Sequence, residues 1–252
     1  MANYDVIGNI AVVKFLRGEK LREKKKFAER FLRENKQVRT VLEKSDKISG
    51  RLRTAATKFV AGEKTKEALY RENGCLFRLN VDACYFSPRL SSERKEVAGK
   101  VKKGENVLVM FGGVAPYAIV IGKLSNAGKI VSVELGRECC KYAKENVKRN
   151  KLENVEIVQG DVRKKVCGKF DRIVMARPNL KDSFLDVGFR AIKKNGVIHY
   201  YGFYPEEEKS EMLEMIKGEA KKARKKIRIL KVKKAGEIGV KKYRFRVDIR
   251  VT

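Results

Sequence analysis

Residues 85–94, YFSPRLSSER, set one carboxylate, Glu93, among Arg89 and Arg94 at what reads as the start of a helix. Ser91 or Ser92 is expected to cap that helix by accepting from its exposed amides. A glutamate in a first helical turn is favourable beside the positive end of the helix dipole, so a plain capping role is one reading of Glu93. The other is chemical. If a reactive ligand lies close, Glu93 is placed to take a proton as general base, and Arg89 or a neighbouring arginine to stabilise charge growing on a carbonyl oxygen. A substrate with an acidic N–H beside a carbonyl suits such a pair, and guanine presents both at N1 and O6.

The ligand itself is suggested by the next segment, VLVMFGGVAPYAI, residues 107–119, which reads strand, turn, helix. Gly112 and Gly113 allow a tight turn and a close ligand approach, and Pro116 suits the first turn of the helix that follows. Glu134 ends the next strand and Asp161 the one after. In an open α/β sheet these strand ends border the ligand crevice. Glu134 can accept bonds from two ribose hydroxyls, and Asp161 from an exocyclic adenine amine. Two acids there disfavour phosphates, and the third glycine of a dinucleotide fingerprint is missing. S-adenosylmethionine fits these positions better than a dinucleotide does. The expected cofactor set is Tyr85, Phe111, Gly112, Gly113, Glu134, Asp161, Val162 and Pro178, with Arg94 and Arg177 toward the substrate. The plain alternative is a solvated rim of strand-end acids.

Elements that would position these residues follow from periodicity. After residue 91 helices are expected at 92–103, 116–124, 137–150, 182–194 and 206–224, between short apolar strands. Such strands imply a parallel sheet covered on both faces. The last two runs, KIRILKVKKAG and YRFRVDIRV, read as a hairpin. A doubly wound α/β sheet closed by a terminal antiparallel hairpin is the architecture of class I methyltransferases, expected here over 85–252. Residues 1–84 read as a small α+β domain. In it Phe27, Phe31 and Leu32, then Val38, Val41 and Leu42, fall at helical spacings.

Sixty Lys and Arg against 31 Asp and Glu give a net charge of +29, more than solubility needs. Such a field gathers polyanions, which points to nucleic acid, although a lysine-rich proteome from a hot habitat also raises basic content. The basic run 217–234 can track phosphates or form a solvated helix face and edge strand. Five scattered cysteines and one histidine give no zinc spacing. They are read as reduced, buried thiols of a cytoplasmic protein. The N-terminus lacks signal-peptide character, and no apolar run has the ~18 residues of a membrane span. A lone His199 within a strand reads as a packing residue.

The segments DVIGNIAVVK, YRENG, YFSPRLSSER, MFGGVAPYAI and GVIHYYGF, in that order, resemble the tRNA (guanine-37 N1)-methyltransferase family of archaea and eukaryotes. The resemblance implies a class I fold, S-adenosylmethionine, and a small leading domain that grips the anticodon stem-loop of a monomeric enzyme's tRNA substrate. It implies that Glu93 is the base, with an arginine partner at or near Arg53 in GRLRT. It also marks departures. The DVIG segment starts at Asp5, so the additional domain that reads the tRNA elbow is expected to be absent. Val109-Met110 replaces an acidic residue and its neighbour. Ala176-Arg177-Pro178 replaces Asn-Leu-Pro, whose Asn helps hold the target base. A related enzyme of wybutosine synthesis shares the two-domain core and transfers an aminocarboxypropyl arm instead of methyl. Methyl transfer, aminocarboxypropyl transfer and RNA binding by an inactive pocket are therefore the three readings, with methyl transfer preferred because APYAI resembles the methyltransferase branch.

Overall fold

The computed structural model describes residues 3–49, 54–177, 179–239 and 241–252; for 45–49 and 54–55 only the backbone is considered. Arg53 and Pro178 lie outside the described residues.

The chain begins with β1 (Asn3–Ile7), β2 (Ile10–Lys14), α1 (Leu21–Glu34), β3 (Thr40–Ser49) and β4 (Thr54–Gly62). The four strands form one sheet in the order β1-β2-β3-β4. Val38, Val41 and Leu42 do not continue a helix as their spacing suggests. Val41 packs in the core under α1, and Leu42 on the opposite face in a core shared with the larger sheet. A strand buried on both faces shows consecutive apolar residues, which fit either period.

A hairpin follows, β5 (Glu67–Glu72) and β6 (Cys75–Asn80). Its two-residue turn is Asn73-Gly74, both at positive φ, the tight turn whose twist matches that of the strands. A short 3-10 turn, Pro88–Leu90, leads into α2 (Ser91–Ala98). Then come β7 (Val107–Met110), α3 (Pro116–Leu124), β8 (Ile130–Glu134), α4 (Arg137–Arg149), β9 (Val155–Gln159), α5 (Val162–Lys165), β10 (Phe170–Met175), α6 (Leu185–Ala191), β11 (Ile192–Pro205), α7 (Lys209–Lys222), β12 (Ile227–Gly239) and β13 (Lys242–Val251). The expected helices at 92–103, 182–194 and 206–224 are each shorter. The longest lost stretch is 99–103, and at 192–194 the chain has already entered β11.

Among the described residues seven strands form the large sheet, in the order β12-β13-β11-β10-β7-β8-β9. β11 through β9 run parallel, and β13 and β12 are antiparallel additions. The chain leaves β7 toward β8 and β9, then returns to β10 on the other side of β7. That reversal opens a crevice at the carboxyl ends of the strands. The expected doubly wound sheet with its terminal hairpin is thus present.

Two asparagines one helical turn apart fasten the small hairpin to this sheet. Asn146 of α4 and Asn150 at its C-terminal cap each accept from and donate to the backbone of β6, at Arg78 and Leu76 respectively, over 2.8–3.0 Å. The side-chain amides stand in for a neighbouring strand on an otherwise unpaired edge. Cys84 and Cys139 form a disulfide across the same junction. The expectation of five reduced thiols is corrected here. A separation of 55 residues conceals that the exit of the hairpin lies on the first turn of α4. Cys75 and Cys140 are free and buried, and Cys167 is exposed.

Candidate active site

At the switch point the main cleft is lined by residues from the 85–94 segment, the glycine turn, and the ends of β8, β9, β10 and β11. The glycine turn is held from behind. Gly113 (φ +56) gives its N–H to Glu134 Oε2 at 2.8 Å, and Gly136 gives its own to Oε1 at 2.7 Å. Gly112 sits so close to β8 that a Cβ would lie 2.1 Å from Ser132 Oγ. A side chain there would require the Ser132 hydroxyl to rotate away. Each Glu134 oxygen thus accepts one backbone amide, and each has a second lone pair to offer. Asp161 caps α5 by accepting from Arg163 N at 2.9 Å, and it lines the cleft beside Val162. Phe111 (φ +61) turns its ring edge-on to Phe184 at 5.0 Å, giving that end an aromatic wall. Tyr85 stands at the mouth with its hydroxyl 3.3 Å from Arg244. Of the expected cofactor set, Tyr85, Phe111, Gly112, Glu134, Asp161 and Val162 line one cleft, and Gly113 lies just behind it.

The substrate side departs from expectation. Neither serine caps α2; the 3-10 turn runs directly into it, and Ser91 instead receives the Asn73 side chain at its backbone and hydroxyl oxygens. The hairpin turn therefore fixes where α2 begins. Arg94 borders the cleft, but its guanidinium makes a two-pronged pair with Glu72 at 2.5 Å and a bond to Ser87 O at 3.0 Å. Both partners are 2% exposed. With every strong contact directed at the protein, Arg94 is a tie between hairpin and helix rather than a substrate contact. Arg89 is not among the residues that line the cleft and pairs with Asp5 of β1 at the surface. It thus links the 85–94 segment to the first sheet and is not part of the cleft wall. Arg177 also borders the cleft, yet its guanidinium lies against Tyr200 and donates to the carbonyls of Leu180 and Asp182. It ties down the chain at Leu180 and Asp182.

Glu93 is buried within an ion cluster. Its Oε1 accepts from Tyr201 Oη at 2.7 Å and Arg246 NH1 at 2.5 Å, and its Oε2 from Lys233 Nζ at 3.1 Å. Glu96 shares Arg246 and Lys233. Burial pushes the Glu96 carboxyl up, but these two cations outweigh it and hold it down at about 2. Arg246 continues to Asp248 at 2.9 Å, and Asp248 to His199 Nδ1 at 2.7 Å. His199 is fully buried, which disfavours its charged form; it packs as expected. Part of the basic run 217–234 is likewise engaged, since Lys233 serves Glu93 and Lys234 pairs with Glu206.

Sequence reasoning missed Tyr117, Tyr201, Phe203 and Arg244, which complete the cleft wall, and Arg246 behind it. Arg244 lies over the Phe203 ring at 5.1 Å and, among the described residues, has no carboxylate partner. The alternation of Arg244, Arg246 and Asp248 in YRFRVDIRV was the available signal: one face of β13 is polar throughout.

Residues 68–230 match the TRM5/TYW2 methyltransferase domain, and residues 1–65 match the TYW2 N-terminal domain. The chain belongs to the TRM5/TYW2 family. Within it, the chain is similar to the tRNA (guanine(37)-N(1))-methyltransferase Trm5b of Pyrococcus abyssi, 36% identical over 99% of this chain and 75% of that one. The crystal structure of that Trm5b superposes with a TM-score of 0.91 at 35% identity, over the same shares of the two chains. The tRNA (guanine(37)-N(1))/4-demethylwyosine(37)-methyltransferase Taw22 of Nanoarchaeum equitans is 32% identical over 98% of this chain and 99% of its own. The structure of M. jannaschii TYW2 in complex with AdoMet matches with a TM-score of 0.76 and 26% identity, over 99% of both chains. The TRM5/TYW2 assignment accounts for the glycine turn and the strand-end acids as parts of one methyltransferase domain.

If Glu134 holds a ribose, removing its carboxylate carries a measurable penalty. Glu134→Ala is expected to weaken S-adenosylmethionine binding by about 1–3 kcal/mol, the scale of lost charge-assisted hydrogen bonds. Calorimetry showing unchanged affinity would detach the cofactor from this strand end.

Proposed function

We propose that this chain is a tRNA methyltransferase that uses S-adenosylmethionine to methylate N1 of guanine 37. The observation that carries the reading is one cleft with the Glu134–Asp161 acid pair at one end and, behind its opposite wall, a buried carboxylate at Glu93. The residues present suit the cofactor. Glu134 has lone pairs for ribose hydroxyls, Asp161 faces the adenine end with Val162 and Phe111, and no phosphate-binding cation is needed beside two acids. When bound, the cofactor supplies a methyl group on a positively charged sulfur. The chain supplies the rest: a fixed glycine turn, a carboxylate to receive the N1 proton, and Arg244 at the mouth as a cation for the O6 side. Residues 1–84, with Arg53, are proposed to grip the anticodon stem-loop, the β5–β6 hairpin acting as the joint through Asn73, Glu72 and α4.

Transfer of an aminocarboxypropyl arm is the second reading. It is favoured by the match of residues 1–65 to the TYW2 N-terminal domain.

An RNA substrate implies strong salt dependence, because lysines and arginines displace condensed counterions. With +29 on the chain, tRNA affinity is expected to fall by about 10³-fold or more between roughly 50 and 200 mM salt. A flat profile in a filter-binding titration would detach the charge from nucleic acid.

A further inference from the structure

Glu93 is not among the residues that line the cleft. The wall in front of it is made by Tyr117 of α3 and Tyr201 of β11, whose ring centroids are 5.9 Å apart. The Tyr201 hydroxyl reaches back to Glu93 Oε1 at 2.7 Å. The carboxylate is also tethered. Arg246, fully buried, holds the same oxygen at 2.5 Å, and Lys233 holds the other at 3.1 Å. Swinging Glu93 into the cleft would break a buried ion pair, a change that costs several kcal/mol.

We propose that Tyr201 is a catalytic residue that relays the proton between the target base and Glu93. The proposal rests on the methyl-transfer reading above. In the relay the N1–H proton moves to Tyr201 Oη while the Tyr201 proton moves to Glu93 Oε1. The N–H bonding pair stays on N1 for the new N–C bond, and the pair of the breaking C–S bond leaves with the sulfur. Afterwards Glu93 carries the proton and Tyr201 is again neutral. The groups that face Glu93 fit this role. Tyr117 comes from α3, Tyr201 from β11, Lys233 from β12, Arg246 backed by Asp248 from β13, and Arg94 and Glu96 from its own helix. Burial first, then Tyr117 and Glu93, push the Tyr201 hydroxyl well above its ordinary range. A free phenolate is therefore disfavoured, and one proton must arrive as the other leaves.

The test is Tyr201→Phe, which keeps the ring against Tyr117 and removes only the hydroxyl. Single-turnover methyl transfer to a guanine-37 tRNA should fall by about 10²-fold or more. The rate–pH profile of Tyr201→Phe should coincide with that of Glu93→Gln, since either change breaks the same relay. The double variant should be no slower than the slower single one, since both changes cut the same relay. Thermal midpoint and cofactor affinity should stay near those of the unmodified protein. Wild-type rate and profile in Tyr201→Phe, beside a slow Glu93→Gln, would overturn the relay and leave methyl transfer standing. No transfer by the unmodified protein would remove the reading and the relay together. Should Tyr201→Phe fail to fold, 3-fluorotyrosine at position 201 gives the same decision. Its more acidic hydroxyl should shift the rate–pH profile, and an unshifted profile would overturn the relay.

Discussion

Glu93→Gln is expected to lower single-turnover methyl transfer by about 10²–10⁴, the range for loss of a positioned general base. The substitution keeps the side-chain shape, and the Gln oxygen can still accept from Tyr201. It cannot end the reaction holding the N1 proton. Folding should survive, because Arg246 retains Glu96 and Asp248 as counter-charges and Lys233 retains Glu96. Affinities for cofactor and tRNA should change little, since the carboxylate acts mainly in the transition state. Near-normal turnover would sink the assignment. Glu93 would then be the centre of a purely structural ion cluster that ties α2 to β11, β12 and β13.

Arg94→Ala should have the opposite signature, a collapse of stability. Arg94 and Glu72 are both buried, and among the described residues Glu72 has no other cation. Removing one partner strands the other charge in the interior, at a cost of about 3–5 kcal/mol. That approaches the whole stability of many domains. The pair also joins the hairpin to α2, so the cleft wall at Ser87 and Leu90 should loosen with it. Arg94→Met combined with Glu72→Leu removes both charges and should recover most of the loss. Chemical denaturation of the single and double variants checks this. A mild effect of Arg94→Ala on stability, with a large one on tRNA affinity, would return Arg94 to the substrate side.

The residues proposed to hold the cofactor could be picked out as strand-end positions because they are local. The two glycines, Glu134 and Asp161 each sit where a short apolar strand stops, and strand ends can be read from a single window. The substrate end depends on long-range contacts that periodicity does not encode. Arg94 finds Glu72 only because an Asn-Gly hairpin docks on α4 through Asn146 and Asn150. Arg89 finds Asp5 across most of the small domain. Tyr201 was hidden because β11 is buried on both faces, so the run Tyr200-Tyr201 gives no indication of which ring meets the cleft. Arg246 was hidden because only β12 of the terminal hairpin is the sheet edge; β13 is interior, so its polar face lies under α2 instead of in water. The serines before Glu93 misled for a related reason: a 3-10 turn had already organised the start of the helix.

The most direct test of the central claim is the mass of the modified nucleoside. Guanine-37 tRNA incubated with S-adenosylmethionine and the protein, then digested to nucleosides, should show a guanosine heavier by about 14 Da, the added methyl, and absent when position 37 is adenine. A gain of about 101 Da would mark the aminocarboxypropyl arm instead, and no gain on any tRNA offered would contradict an enzyme altogether.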